Sequence, residues 1–275
     1  MRSLKDHATL SNGVNMPWLG LGVYLIPDGP PIVDVIHHAI DAGYRSIDTA
    51  SFYQNEAGVG QAVNTCGLAR EELFVTTKVW NDDLRQARTL DAFEESLDRM
   101  QLDYVDLYLV HWPVPGKFVA AWKALEEIYE RGRAKAIGVS NFTVQHLEVL
   151  QQNSEMIPMV NQVEFHPYLI QPRLKAFCAQ KNIQLEAWSP LMQGRAMNVP
   201  TIQQVAEKYG KTPAQIVLRW DLQHGVVTIP KSAQPARIIE NATIFDFELS
   251  EEDMVVLDGL DCGQRVGPDP EDFVF

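Results

Sequence analysis

Long apolar runs, paired cysteines and an excess of positive charge are all missing from this chain, and each absence removes a class of protein. No stretch approaches the roughly 18 to 20 consecutive apolar residues that a membrane-spanning helix needs. The opening Met1-Arg2-Ser3-Leu4-Lys5-Asp6-His7 lacks the apolar core of a secretory signal. The three cysteines, Cys66, Cys178 and Cys262, are odd in number, far apart and without metal-ligand spacing, which fits reduced thiols in packing or surface positions. These features predict a soluble, cytoplasmic protein. With 36 acidic against 23 basic residues, the formal net charge is −13. Such a field repels phosphate backbones and anionic lipid surfaces, so neither nucleic acid nor a membrane is expected as a partner. A small anionic ligand would need a local cluster of cations.

Nucleotide-binding loops are missing as well. A doubly wound sheet would carry G-x-G-x-x-G after its first strand, but Gly20-Leu21-Gly22 is followed by Leu25 at the third glycine position and Gly58-Val59-Gly60 by Val63. There is no Walker loop, so any nucleotide must be held by other means. Clustered metal ligands are absent too: His37-His38 lies in an early helical stretch and the other histidines are scattered, which leaves a metal-dependent barrel hydrolase without support.

What is present is a regular alternation. Short β-rich runs begin near Leu19, Arg45, Leu73, Tyr104, Ala134, Met159, Ile183 and Val226, and amphipathic stretches such as 32–42, 55–66, 87–100, 118–131, 144–152 and 173–180 lie between them. Alternation of this kind predicts an α/β fold with a parallel sheet, and eight strands predict a (β/α)₈ barrel in one domain spanning 1–275. Gly43, Gly67 and Gly132 fall at or just past helix ends, where a left-handed residue is favoured. Residues 8–16 read as a hairpin plugging the barrel bottom, with Asn12-Gly13 as a type I′ turn. Helices are expected over 235–244 and 251–260, the second capped by Ser250 with Asp253 at the capping-box position. The stretch 263–275 reads as a loop.

Three polar residues stand at the carboxyl ends of consecutive strand-like runs. Asp48, Lys78 and His111 are separated by 30 and 33 residues, about one βα repeat, so a barrel brings them to one rim, the rim where barrel enzymes do chemistry. Tyr53, just past Asp48, joins them. Singly, each reads equally well as a solvated loop residue or as packing; their joint placement at matched strand ends favours a site. A neighbouring ammonium from Lys78 would lower the pKa of Tyr53 from its usual value of about 10. Asp48 would keep Lys78 charged, and His111 would polarise a carbonyl that Tyr53 protonates. Nothing in the group is a nucleophilic serine or cysteine.

These residues occur within a longer series of motifs: Leu19-Gly20-Leu21-Gly22, Ile47-Asp48-Thr49-Ala50, Tyr53-Gln54-Asn55-Glu56, Thr77-Lys78, Leu109-Val110-His111-Trp112-Pro113, Gly138-Val139-Ser140-Asn141-Phe142, Asn161-Gln162-Val163-Glu164, Ser189-Pro190-Leu191 and Ile229-Pro230-Lys231-Ser232. In order and separation, and over essentially the whole chain, the sequence resembles the aldo-keto reductases, most closely the bacterial branch with 2,5-diketo-D-gluconic acid reductases and glyoxal reductases. The resemblance implies NADPH-dependent reduction of small carbonyls by a monomer, with Tyr53 as general acid, Lys78 and Asp48 as its tuning pair and His111 orienting the substrate. A cofactor-binding, sensing or structural protein on the same fold is the alternative.

The resemblance also assigns a cofactor site. Ser140, Asn141 and Gln162 would bind the carboxamide and Trp188 would stack on the nicotinamide, with Ser189 and Leu191 beside it. Lys231, Ser232 and Arg237 form the local basic grouping that the acidic composition demands, at the start of a helix that itself favours phosphate; the resemblance gives this grouping to the 2′-phosphate of NADPH, with Glu240 and Asn241 near the adenine. Tyr24, Phe52, Trp80, Asn81, Trp112 and Phe273 are expected to wall the substrate pocket. Arg195 is equally an exposed structural residue or a contact to pyrophosphate or an acidic substrate.

Overall fold

The structure, a computed structural model, describes Met1, residues 3–273 and Phe275. An antiparallel hairpin of β1 (His7–Thr9) and β2 (Asn15–Pro17) comes first. Eight parallel strands follow: β3 (Leu21–Gly22), β4 (Ser46–Asp48), β5 (Phe74–Val79), β6 (Val105–Val110), β7 (Ala134–Ser140), β8 (Val160–Glu164), β9 (Gln184–Trp188) and β10 (Val227–Thr228). They pair in sequence order. The ring closes where Leu19 bridges Thr228 and Gly22 bridges Lys231, and Gly20 N–H donates to the Thr228 carbonyl at 3.0 Å. The predicted (β/α)₈ barrel is the observed fold.

Every residue of β5 and β6 is buried, as expected for parallel strands covered on both faces. The covering helices are α1 (Pro30–Asp41), α2 (Glu56–Thr65), α3 (Asn81–Arg85), α4 (Thr89–Met100), α5 (Phe118–Glu130), α6 (Val144–Asn153) and α7 (Pro172–Gln180), then α8 (Pro200–Tyr209), α9 (Pro213–Gln223), α10 (Pro235–Ala242) and α11 (Glu251–Asp258). Most of them turn buried apolar residues inward, toward the strands or toward a neighbouring helix. In α1 these are Ile32, Val35, Ile36, Ala39 and Ile40, spaced to occupy one helical face. Gly43, Gly67 and Gly132 all take positive φ at helix ends, as their positions predict. The long connection from β9 to β10 holds α8 and α9, the latter begun by a capping box in which Thr212 Oγ1 accepts from Gln215 N–H.

The hairpin sits at the amino ends of the strands, where the Asn12 side chain donates to the Lys135 carbonyl at 2.9 Å beside the start of β7 and Met16 is buried. Its turn differs from expectation. Gly13 alone has positive φ (87°), and Leu10 N–H donates to the Val14 carbonyl while Gly13 N–H donates to the Leu10 carbonyl. This is a three-residue loop with glycine in the left-handed position; Asn12 stays at negative φ because its amide is pulled toward Lys135. Ser250 caps α11, its Oγ accepting from Asp253 N–H. The Asp253 carboxylate does not complete the box; it is held by Lys208 and Tyr209, and the Ser250 N–H goes to Tyr209 Oη. Residues 263–273 form neither helix nor strand. No helix among the described residues is long and apolar enough to cross a membrane.

Where α2 meets the end of α4, a Cβ at Gly60 would fall on the Met100 carbonyl, and rigid backbone cannot yield as a side chain would. Gly60→Ala is expected to lower stability by roughly 1–3 kcal/mol, read as a reduced urea midpoint with an unchanged m value.

Candidate active site

Strand geometry delivers the polar triad to one mouth. Asp48 is the last residue of β4, Lys78 the penultimate residue of β5, and His111 directly follows β6. Lys78 is fully buried and its ammonium donates to Asp48 Oδ1 at 2.6 Å and to the Thr49 carbonyl at 2.8 Å. Burial alone would strip its proton, but Asp48, with help from Tyr53 and Glu186, outweighs that and raises its pKa. The lysine is therefore a fixed cation.

Tyr53 lies on the single turn Ser51–Tyr53 after β4, and its hydroxyl is 3.5 Å from the Lys78 ammonium. The turn is pinned from beneath. Thr49 Oγ1 donates to Asn55 Oδ1, Asn55 Nδ2 donates to the carbonyls of Val23 and Ile26, and Glu56 accepts from Thr77 Oγ1 and from Arg99. Thus Asn55 and Glu56, adjacent in the sequence, serve as anchors for the tyrosine.

The expected acidification of Tyr53 is reversed in the free protein. Burial is the largest cause and pushes its hydroxyl up to about 12; Lys78 opposes this and Asp48 adds to it. The physical reason is that the loss of solvation on burial outweighs the pull of the ammonium, which Asp48 partly offsets. The phenol is consequently protonated across the physiological range. His111 is pushed well below its ordinary value by burial and then by Lys78, so its imidazole is neutral, and its buried Nδ1 has no partner among the described residues. The His111 and Tyr53 rings meet edge to face at 5.8 Å. The group can present one neutral donor and one protonated phenol beside a fixed cation.

The cofactor-binding candidates lie on neighbouring strand ends. Ser140 closes β7, Asn141 follows it at φ 65°, Gln162 lies in β8 and Trp188 closes β9. The Asn141 amide makes three hydrogen bonds: Nδ2 donates to the His111 carbonyl and to Ser140 Oγ, while Oδ1 accepts from the Trp188 indole at 2.8 Å. It orients the indole. Gln162 Nε2 donates to Asp48 Oδ2 at 2.8 Å and to Glu186 Oε2 at 2.7 Å, so its carbonyl end is the one left for a ligand. Ser189 and Leu191 follow in the turn after β9, Ser189 at φ 50°.

Past β10, Lys231 and Arg237 are exposed and in no ion pair among the described residues. Beside them α10 starts at Gln234 without a side-chain cap, leaving helix-end N–H groups that suit phosphate. Ser232 Oγ accepts from Gln234 N–H, Glu240 accepts from Thr212 Oγ1, and Asn241 is buried. Unpaired cations, an open helix end and a half-exposed indole fit an anionic dinucleotide. Arg195 is exposed and in no ion pair among the described residues.

All the substrate-wall candidates gather at the mouth. Tyr24 packs on Tyr53 at 4.9 Å, Phe52 stacks on Trp80 at 3.8 Å, Trp80 meets His111 at 5.1 Å and Trp112 meets Phe273 at 5.0 Å. Asn81 is fully buried, and its Nδ2 donates to the Phe275 main-chain oxygen at 3.2 Å, as Arg85 does at 2.6 Å. Three contributors escape the sequence reading. Phe275 stacks on Trp80 at 5.8 Å; its aromatic type, two residues past Phe273, was the available signal. Glu164, on the same strand face as Gln162, accepts from the N–H groups of Val266 and Gly267 and seats the carboxyl-terminal segment, with Gly267 so close to Trp188 that a Cβ there would collide with the indole. Glu186, buried beside Gln162, had no signal beyond its place in a strand.

The aldo/keto reductase family profile matches residues 30–261, and the chain belongs to that family. It is an oxidoreductase. Among its relatives, glyoxal reductase of Bacillus subtilis is 57% identical over 273 residues, covering 99% of each chain. Methylglyoxal reductase DkgA of Escherichia coli is 47% identical over 96% of each. An aldo-keto reductase from a Medee basin deep-sea metagenome library superimposes with a TM-score of 0.94 at 41% identity, covering 98% of this chain and all of that one. A mutant of Gox0644 in complex with NADPH does so at 0.91 and 42% identity, with 98% of both chains covered.

Because Lys78 and Asp48 are buried together, loss of one partner strands the other. Lys78→Met is expected to destabilise the fold by about 3–5 kcal/mol, whereas the double variant Asp48→Leu/Lys78→Met recovers most of that loss. Chemical denaturation of the two variants provides the comparison.

Proposed function

We propose that this protein reduces small aldehydes and ketones to alcohols with NADPH, and that Tyr53 gives the proton. The observation that carries the reading is the buried Lys78–Asp48 pair at 2.6 Å with the Tyr53 hydroxyl 3.5 Å from the ammonium. NADPH, when bound, supplies the hydride. The neutral His111 donates a hydrogen bond to the carbonyl oxygen and fixes its direction. As negative charge builds on that oxygen, the protonated Tyr53 hydroxyl transfers its proton, and the Lys78 ammonium stabilises the phenolate left behind. Asp48 and the Thr49 carbonyl keep that ammonium in place.

Ser140, Asn141, Gln162, Trp188, Ser189 and Leu191 would hold the nicotinamide end of NADPH, and Lys231, Ser232, Arg237, Glu240 and Asn241 the adenosine end, where two unpaired cations favour a 2′-phosphate. Tyr24, Trp80, Asn81, Trp112 and Phe273 would form or support the substrate wall. The family resemblance, with glyoxal and methylglyoxal reductases among the relatives, supports glyoxal, methylglyoxal, aromatic aldehydes and keto-sugars as the substrate class. The chain works as one barrel domain and a monomer in the cytoplasm, without nucleic-acid or membrane partners.

Tyr53→Phe is expected to lower kcat for methylglyoxal roughly 10²- to 10⁴-fold, the usual range for loss of a general acid; NADPH consumption measures it. If NADPH binds but neither wild type nor variant turns over any carbonyl, a sensing role replaces catalysis. Loss of a charged hydrogen bond to phosphate is worth about 1.5–3 kcal/mol, so Arg237→Ala should weaken NADPH binding by about tenfold or more and leave NADH unchanged. Equal affinity for both nucleotides, untouched by the variant, counts against the 2′-phosphate assignment.

A further inference from the structure

One buried carboxyl takes no part in the chemistry above. Glu186 in β9 is fully buried, and its Oε2 accepts the 2.7 Å hydrogen bond from Gln162 Nε2. Its Oε1 has no partner and no cation is within ion-pair distance of it among the described residues. The other N–H of the same amide goes to Asp48 Oδ2 at 2.8 Å. A single amide thus joins two carboxyls, of which one has a lysine and the other does not. A fully buried ionised carboxylate with one neutral donor is costly, while the protonated form forfeits little.

We propose that Glu186 is a positioning residue for the reduction: a buried carboxyl that keeps its proton and so leaves the Lys78 ammonium to act on Tyr53. This rests on the reductase reading. When Glu186 ionises, a second negative charge joins Asp48 beside a single ammonium, the cluster turns net negative, and the phenolate of Tyr53 loses its stabilisation. The proton of Glu186 is never transferred to substrate; its presence sets the charge of the cluster.

The surroundings make the effect separable. Burial pushes Glu186 up to about 8, Asp48 adding to that and Gln162 and Lys78 opposing it. The charged groups that reach it are Asp48 from β4 and Lys78 from β5. From β8 it meets the neutral Gln162, and from β10 its register partner is Val227, followed by Thr228, whose hydroxyl is committed to Asp221 on α9. Within the cluster, Tyr53 and Lys78 titrate far above pH 8 and His111 well below its ordinary value, so Glu186 is the member that changes charge between pH 7 and 10.

Two readouts test it, one independent of turnover. The folded carboxyl keeps a proton that the unfolded chain loses above about pH 4.3, so its contribution to stability falls as pH rises from there to about 8 and levels beyond. Glu186→Gln lacks that slope. The Tm advantage of the variant over wild type should widen between pH 5 and 8 and then hold steady, and Glu186→Leu should reproduce the widening. In NADPH-dependent reduction, the alkaline limb of the wild-type kcat profile near pH 8 should move upward by a pH unit or more in Glu186→Gln, raising the ratio of kcat at pH 9 to kcat at pH 6.5 several-fold. A Tm gap that does not change with pH overturns the proposal, as does a widening gap with an unmoved alkaline limb. Absence of carbonyl reduction by wild type at pH 6.5 counts against the reductase reading instead, and the melting comparison still decides whether Glu186 holds its proton.

Discussion

Everything at the barrel mouth depends on keeping one ammonium charged in a place that water does not reach. Lys78 is buried completely, and such a cation survives only because Asp48 lies 2.6 Å away and the Thr49 carbonyl takes another of its protons. That requirement explains why Asp48 ends its strand where it does and why Thr49 turns its carbonyl inward. It also limits what the cation can do for Tyr53. Burial, helped by the Asp48 charge, outweighs the pull of the ammonium on the hydroxyl, so the free enzyme holds its phenol protonated, and the ammonium matters most once the proton has left.

Around this pair the molecule separates rigidity from variability. The tyrosine turn is tied to the strands by Asn55 and Glu56, whose partners are main-chain carbonyls, Thr77 and Arg99. The aromatic wall is held differently, by ring contacts among Phe52, Trp80, Trp112, Phe273 and Phe275 and by Asn81 and Arg85 on the Phe275 oxygen. In the proposed reduction, chemistry thus sits on strand ends, and substrate choice on segments that arrive from distant parts of the chain.

Spacing along the sequence revealed the strand ends because a barrel converts a repeat of about 30 residues into a ring of equivalent positions; Asp48, Lys78 and His111 were legible for that reason. Gly43, Gly67 and Gly132 were legible because helix ends demand a left-handed residue whatever surrounds them. The Asn12-Gly13 turn was misread, since a dipeptide preference yields to a hydrogen bond made 123 residues away. The acidity of Tyr53 was misjudged in direction because adjacency to a lysine is visible in a motif, but the burial that opposes it is not. Glu186, the seat that Glu164 makes for the carboxyl-terminal segment and the reach of Phe275 arise only once strands far apart in sequence face one another.

The line from Glu186 through Gln162 to Asp48 and Lys78 joins β9 and β8 to β4 and β5, strands that lie on opposite sides of the ring. The barrel therefore has a polar crossbeam under its opening in addition to its apolar filling. A tube braced across its diameter resists flattening into an ellipse, and the outline of the mouth follows the length of the brace. Substitutions in that beam would reshape the opening as well as its charge, so the range of carbonyls admitted can change through residues that never meet them.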